Sequence, residues 1–327
     1  MRAILPLSDR GARPGAPPRV GDLPDPAPGP GEILVKIEAA GLNHADLHQL
    51  RGTYPPPPGE SDVPGLECAG RVAGQEAPGL WQPGARVMAL TGGGAHATLA
   101  AIPAGQLMAV PDNLTSIEAA AVPEAGLTAW TNLVAEGGLQ AGESVLITGA
   151  TGGMGSFAVQ LARELGARVL AAGRDRDRLE QLRELGVEEI CLEGTGLAQQ
   201  VREATGGRGV DLVFDLVGGP AINAHLGALR TEGRLVLIGL LGGHSVEVNL
   251  GMVLSRRLHI LGSVLRPRSR QEKAHLVSEF AAFALPRLKD GRLRPVVDRV
   301  LPFERAPEGY RMLETGGVFG KIVFEMG

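Results

Sequence analysis

Apolar and polar positions divide this chain into three textures. Between residues 33 and 110 the apolar positions come in short runs, at 33–39, 66–73 and 86–90, and 96–103 alternates up to its proline. Proline and glycine turns separate these runs, which predicts strands rather than helices. One short helical stretch is expected at 45–51, ahead of a proline run at 55–58 that must stay extended because each ring fixes φ. At Thr115 the texture changes. Residues 116–138 read as helix, broken near Pro123. Strands at 145–148, 169–172, 209–217 and 234–238 then alternate with helices at 156–165, 176–185 and 221–229. Such alternation predicts an α/β fold with a doubly wound parallel sheet. Val246, Val248 and Leu250 alternate and read as an exposed edge strand, which invites pairing with another chain. From Leu265 the texture shifts again, to a long helix at 271–287 and two short apolar runs at 295–300 and 321–324.

The most informative stretch is 144–174. An apolar run ends at Thr148, and a turn with Gly149, Gly152, Gly153 and Gly155 follows. Phe157, Leu161 and Leu165 then recur every four residues, giving a helix one apolar face until Gly166 stops it. Strand, glycine turn, helix and strand make one βαβ unit. The pattern GxxGGxG is a variant of the dinucleotide fingerprint. A phosphate must approach the backbone where a Cβ would block it, and the helix start offers free N–H groups and a positive dipole end. The second strand ends in Gly173 and Arg174, where NAD sites place an acid for the ribose 2′-hydroxyl. No acid stands there. An arginine can grip a 2′-phosphate bidentately, which points to NADPH. The plain alternative is that RDRDR at 174–178 is a solvated charge run.

Composition narrows the classes further. A chain of 327 residues suggests two domains. A net charge of −4 gives no reason to expect nucleic acid. Two cysteines, Cys68 and Cys191, exclude a disulfide scaffold and fit a reducing, cytoplasmic setting. The first fifteen residues lack the apolar core of a signal peptide, and the uncharged stretch 87–111 is broken by glycines and Pro103, so no membrane span is expected. The seven histidines show no metal-ligand spacing. His44 and His48 lie four apart without a third ligand.

Several segments together resemble one family: PGEILVKIEAAGLNHADL, GLECAGRV, GLTAWTNL, GATGGMG, GVDLVFDLVGG, GRLVLIGL, ILGSVLRPRS and GKIVFE. The chain is identified by these as a member of the zinc-independent quinone oxidoreductase (ζ-crystallin-like) branch of the medium-chain dehydrogenase/reductase superfamily. The resemblance implies a β-rich, GroES-like catalytic domain made of residues 1–122 and 265–327, split by a Rossmann domain at 123–264. It implies a homodimer formed through the sheet edge. It also implies cofactor contacts at Gly149, Gly152, Gly153, Met154, Gly155, Gly173, Arg174, Arg178, Gly239, Leu265, Arg266 and Lys321. Arg178 falls where the family usually has a phosphate-binding lysine, whereas Glu193 stands where a tyrosine often meets the adenine.

The implied chemistry follows from what is missing. Zinc members of the superfamily draw a cysteine and a histidine ligand from positions that here read Asn43 and Leu66, with Glu67 beside the latter, and the four-cysteine zinc lobe is absent too. A simple ketone or alcohol needs its oxygen polarised, as a metal does well. A quinone or enone already accepts hydride, and one or two hydrogen-bond donors at the developing oxyanion suffice. The resemblance points to Asn43, Tyr54 and Thr128 around nicotinamide and substrate. Asn43 has an amide to donate and Tyr54 a phenol. The expected activity is NADPH-dependent reduction of small quinones or α,β-unsaturated carbonyls without zinc. The other reading left open is an NADPH-binding structural or regulatory protein with little turnover.

Overall fold

The computed structural model describes residues 1–6, 17–73 and 81–327. Strands β1 (Arg2–Ile4) and β2 (Val20–Asp22) pair antiparallel. The first apolar runs form β3 (Glu32–Leu42), β4 (Glu67–Val72), β5 (Arg86–Leu90), β6 (Leu99–Pro103) and β7 (Leu107–Ala109), with helix α1 (His44–Leu50) after β3. Alternation along β3 buries Ile33, Val35 and Ile37 on one side. At the start of α1 the Asn43 backbone amide donates to Asp46 Oδ2 at 2.8 Å, and the Asp46 amide donates to the Asn43 carbonyl at 3.0 Å. Two helices follow, α2 (Ser116–Ala119) and α3 (Pro123–Trp130), the latter passing into a π-helical turn at Thr131–Ala135.

Next come β8 (Ser144–Ile147), α4 (Gly153–Glu164), β9 (Arg168–Gly173), α5 (Arg176–Glu180), β10 (Glu189–Leu192), α6 (Leu197–Ala204), β11 (Val210–Asp215), α7 (Ile222–Ala228), β12 (Leu229–Leu237), α8 (Leu250–Arg256) and β13 (His259–Gly262). The chain closes with α9 (Arg270–Lys289), β14 (Val297–Pro302), α10 (Ala306–Thr315) and β15 (Lys321–Glu325). Two compact units result, Met1–Leu127 with Leu265–Gly327 and Thr128–Val264.

In the first unit seven strands share a sheet, in the order β14-β15-β3-β4-β5-β7 with β6 also on β3. β15 runs antiparallel to β3 and parallel to β14, so residues from both halves of the unit share one core with Val35, Ile37, Val87, Ile102, Ile322 and Phe324. The second unit is a six-stranded parallel sheet, β10-β9-β8-β11-β12-β13, with the strand order reversing at β8. Its inner strands β8 and β11 are buried throughout, as strands covered on both faces must be. The expected α/β class, a doubly wound sheet with a β-rich partner, is what the chain forms.

Two local expectations need correction. Residues 246–249 are not a strand. Asn249 accepts a hydrogen bond from the Met252 amide and caps α8, so Leu250 opens a helix and the sheet edge is β13 instead. The helix expected over 176–185 holds only through Glu180. It then tightens into a 3-10 turn, Gln181–Leu185, which Gly186 ends at φ +106°.

Candidate functional site

The glycine turn sits at the carboxyl end of β8, beside the switch in strand order, where open parallel sheets take their ligands. Gly149 has φ +59°, a conformation that costs a side chain dearly. A Cβ on Gly155 would lie 2.5 Å from the Gly149 carbonyl oxygen, so only glycine lets α4 pack this closely on the loop. Gly152 differs. A Cβ there would meet nothing nearer than 3.7 Å, which leaves open space before the helix start. No side chain caps α4, and Gly153, Met154 and Gly155 form its first turn. This cradle fits a phosphate: room, free amides and a dipole end coincide.

At the end of the neighbouring strand, Gly173 packs on Leu179, and Arg174 is exposed with no ion-pair partner among the described residues. Arg178 lies 3.3 Å from Asp175, whose side chain also caps α5 through the Arg178 amide. Part of the RDRDR run is therefore a paired surface, and Arg174 is the arginine in it with no ion pair among the described residues. Gly239 follows β12, where a Cβ would reach 2.7 Å from the Leu216 carbonyl oxygen. Thr128 opens the second unit on α3, and its carbonyl accepts from the Asn132 amide at 2.7 Å.

The first unit gathers a different set. Asn43 donates from Nδ2 to Glu67 Oε1 at 2.9 Å, while its Oδ1 accepts from Lys321 Nζ at 2.6 Å. Lys321 and Glu67 are ion-paired and both buried. Glu67 Oε2 takes the Glu124 amide at 2.9 Å. Leu66, beside it, is buried apolar surface. An acceptor on one side and a donor on the other fix which way the Asn43 amide faces, and one N–H remains for a further acceptor. Lys321, expected at the cofactor, is thus committed to Glu67 and Asn43 inside this unit.

Arg266 is committed in the same way. Its guanidinium donates to Gly92 O, Tyr54 O and Gln49 Oε1, and it lies 5.0 Å from the centre of the Tyr54 ring. Neighbouring Leu265 is buried. Burial, helped by Glu124 and opposed by Arg266, raises the Tyr54 phenol above its ordinary value, so it keeps its proton as a donor. His48 contacts the Thr53 hydroxyl at 3.2 Å. Among the described residues no group of three or more histidines, cysteines and carboxylates is arranged to hold a metal ion.

Sequence reasoning missed a second buried network. His225 lies between Asp215 Oδ2, at 2.9 Å from Nδ1, and Glu193 Oε2, at 3.2 Å from Nε2. The signal was present: an acid inside the apolar run of β11 needs a partner, and α7 supplies it.

A reversing parallel sheet with an uncapped glycine turn at its switch point is the arrangement of a dinucleotide-binding fold. Comparison with known proteins agrees. Residues 153–282 match the zinc-binding dehydrogenase family, and 29–112 match the alcohol dehydrogenase GroES-like domain. A solved quinone oxidoreductase from Thermus thermophilus, also studied in complex with NADPH, is 35% identical, with a TM-score of 0.82 over 99% of this chain and 100% of that one. A solved NAD-dependent alcohol dehydrogenase is 32% identical, with a TM-score of 0.87 and full coverage of both chains. A phenolphthiocerol/phthiocerol polyketide synthase chain of Mycobacterium tuberculosis is 34% identical over 307 residues, which cover 90% of this chain but 14% of that protein. The chain belongs to the medium-chain dehydrogenase/reductase superfamily, in its quinone oxidoreductase-like branch.

Proposed function

We propose that this chain is an NADPH-dependent reductase of quinones or α,β-unsaturated carbonyls that works without zinc. The glycine turn of α4 takes the pyrophosphate, and Arg174, free at the end of β9, takes the 2′-phosphate. When bound, NADPH supplies the hydride. The protein's own part is to stabilise the negative charge that grows on the acceptor oxygen. Asn43 does this with its remaining N–H and Tyr54 with its retained phenol proton. The observation that carries this reading is the fixed Asn43 amide. Lys321 on its Oδ1 and Glu67 on its Nδ2 hold that amide in one orientation, which leaves its second N–H for the oxygen of a conjugated acceptor.

The experiment is a turnover assay with NADPH against 1,2-naphthoquinone, a conjugated enone and an enoyl thioester, with benzyl alcohol and NADP⁺ as the contrasting pair. Reduction of a conjugated acceptor is expected. Tyr54→Phe and Asn43→Ala should each lower it about a hundredfold while NADPH affinity stays close to wild type. Benzyl alcohol oxidation at a comparable rate, or full turnover by the double variant, would overturn the reading. NADPH binding without turnover of any acceptor would favour a structural or regulatory protein.

A further inference from the structure

The buried Asp215–His225–Glu193 chain has no part in that reading, yet it lies at the same end of the parallel sheet. Asp215 is the last residue of β11, and Glu193 directly follows β10. Asp215 Oδ1 also receives Val217 N at 2.8 Å, Gly218 N at 3.0 Å and Thr148 Oγ1 at 3.2 Å. Thr148 is the residue immediately before the glycine turn, and its hydroxyl in turn accepts the Leu216 amide at 3.0 Å. One imidazole therefore ties together the exits of β10 and β11 and the root of the phosphate cradle.

Its charge state follows from the geometry. Each ring nitrogen faces a carboxylate oxygen, so both must donate, and the ring that does this is the imidazolium. His225, Asp215 and Glu193 are each almost wholly removed from water. Burial opposes the charge, but the bonds to Asp215 and Glu193 outweigh it and raise His225 to about 9. The other charged groups packed around α7 turn elsewhere. Arg202 on α6 donates to Gly227 O, and Arg256 on α8 donates to Leu226 O and Gly227 O. On β12, Arg230 pairs with Asp211 and Arg234 with Glu143.

We propose that His225 is a positioning residue of the dinucleotide site: its imidazolium compensates the two carboxylates at the exits of β10 and β11, so that this end of the sheet accepts a polyanionic dinucleotide. Without that charge, two buried carboxylates would face each other beside a ligand bearing a pyrophosphate and a 2′-phosphate, and like charges at such a site repel strongly. Glu193 Oε1, buried and without a partner among the described residues, adds to the case, because the imidazolium is what holds this carboxylate in place. The inference rests on the NADPH reading above.

The test is NADPH binding, followed by quenching of protein fluorescence, with a thermal melt of each variant. His225→Gln should weaken NADPH by at least about tenfold. Adding Glu193→Gln should return affinity to within about threefold of wild type, because the compensating charge is then no longer required. A second measurement leaves position 225 intact. Wild-type affinity should fall as pH rises from 8 to 10 and the imidazolium loses its proton, whereas the Glu193→Gln profile should be flatter. A His225→Gln defect that the second substitution does not relieve, or parallel pH profiles, would overturn the inference. Failure of the wild type to bind NADPH at pH 7.5 would remove the cofactor reading, and this inference with it.

Discussion

Lys321 shows how one residue's surroundings decide what it can do. Its ammonium is almost wholly buried, paired with a fully buried Glu67 and bonded to Asn43. Breaking a buried pair leaves an uncompensated charge, which costs about 3–5 kcal/mol. Lys321→Met should therefore lower stability by roughly that amount in urea denaturation. Lys321→Met with Glu67→Gln should recover most of the loss, and equal destabilisation of single and double variants would contradict the pairing. None of this was legible in the sequence. Glu67 stands out there only as an acid next to Leu66, and nothing in the sequence links it to Lys321, which lies near the far end of the chain. What could be read was local: the strand end reads Gly173 and Arg174, where an acid would mark an NAD site.

Elements were legible where several signals coincided. β8, the glycine turn and α4 combine an apolar run, four glycines and a four-residue apolar repeat, and the structure places them together. β10 is only four residues long, and α6 marks its buried face with a single pair, Leu197 and Val201, so neither stood out from the surrounding loops. Residues 246–250 misled because alternation over five residues is weak against one good helix cap. The glycine turn supports a sharper prediction, since its glycines serve different ends. Gly155→Val should force α4 off the loop and cost about 1–3 kcal/mol of stability. Gly152→Val, which points into open space at ordinary backbone angles, should leave the melting temperature near wild type yet abolish measurable NADPH binding. Calorimetry and a binding titration on both variants separate the two roles. Equal effects on melting would show that both glycines are needed for packing alone.

At the scale of the whole molecule, most of the large exposed apolar side chains among the described residues fall in one stretch of chain, between Leu240 and Val264, which includes α8 and the edge strand β13. Leu250 and Leu254 of α8 are 72% and 82% exposed, and Leu241, Ile260 and Val264 lie open as well. An unpaired edge strand beside such a surface invites a second copy. Two β13 strands related by a two-fold axis would bury both edges. Light scattering at micromolar concentration should find a dimer, and Ile260→Lys with Leu254→Glu should give monomer. A wild-type monomer would leave this surface for a different partner. No helix among the described residues is long and apolar enough to cross a membrane.

The place of β15 between β14 and β3 has a consequence for biosynthesis. A ribosome delivers Glu67 and Asn43 early, then all of Thr128–Val264, and Lys321 only after that. The parallel sheet can close on itself while the first unit still lacks two strands. Throughout that interval the β3 edge is open and Glu67 has no counter-charge. The nascent chain thus acquires its nucleotide-binding half before its Asn43 amide has been fixed, and a polypeptide stalled ahead of β15 would hold the first without the second.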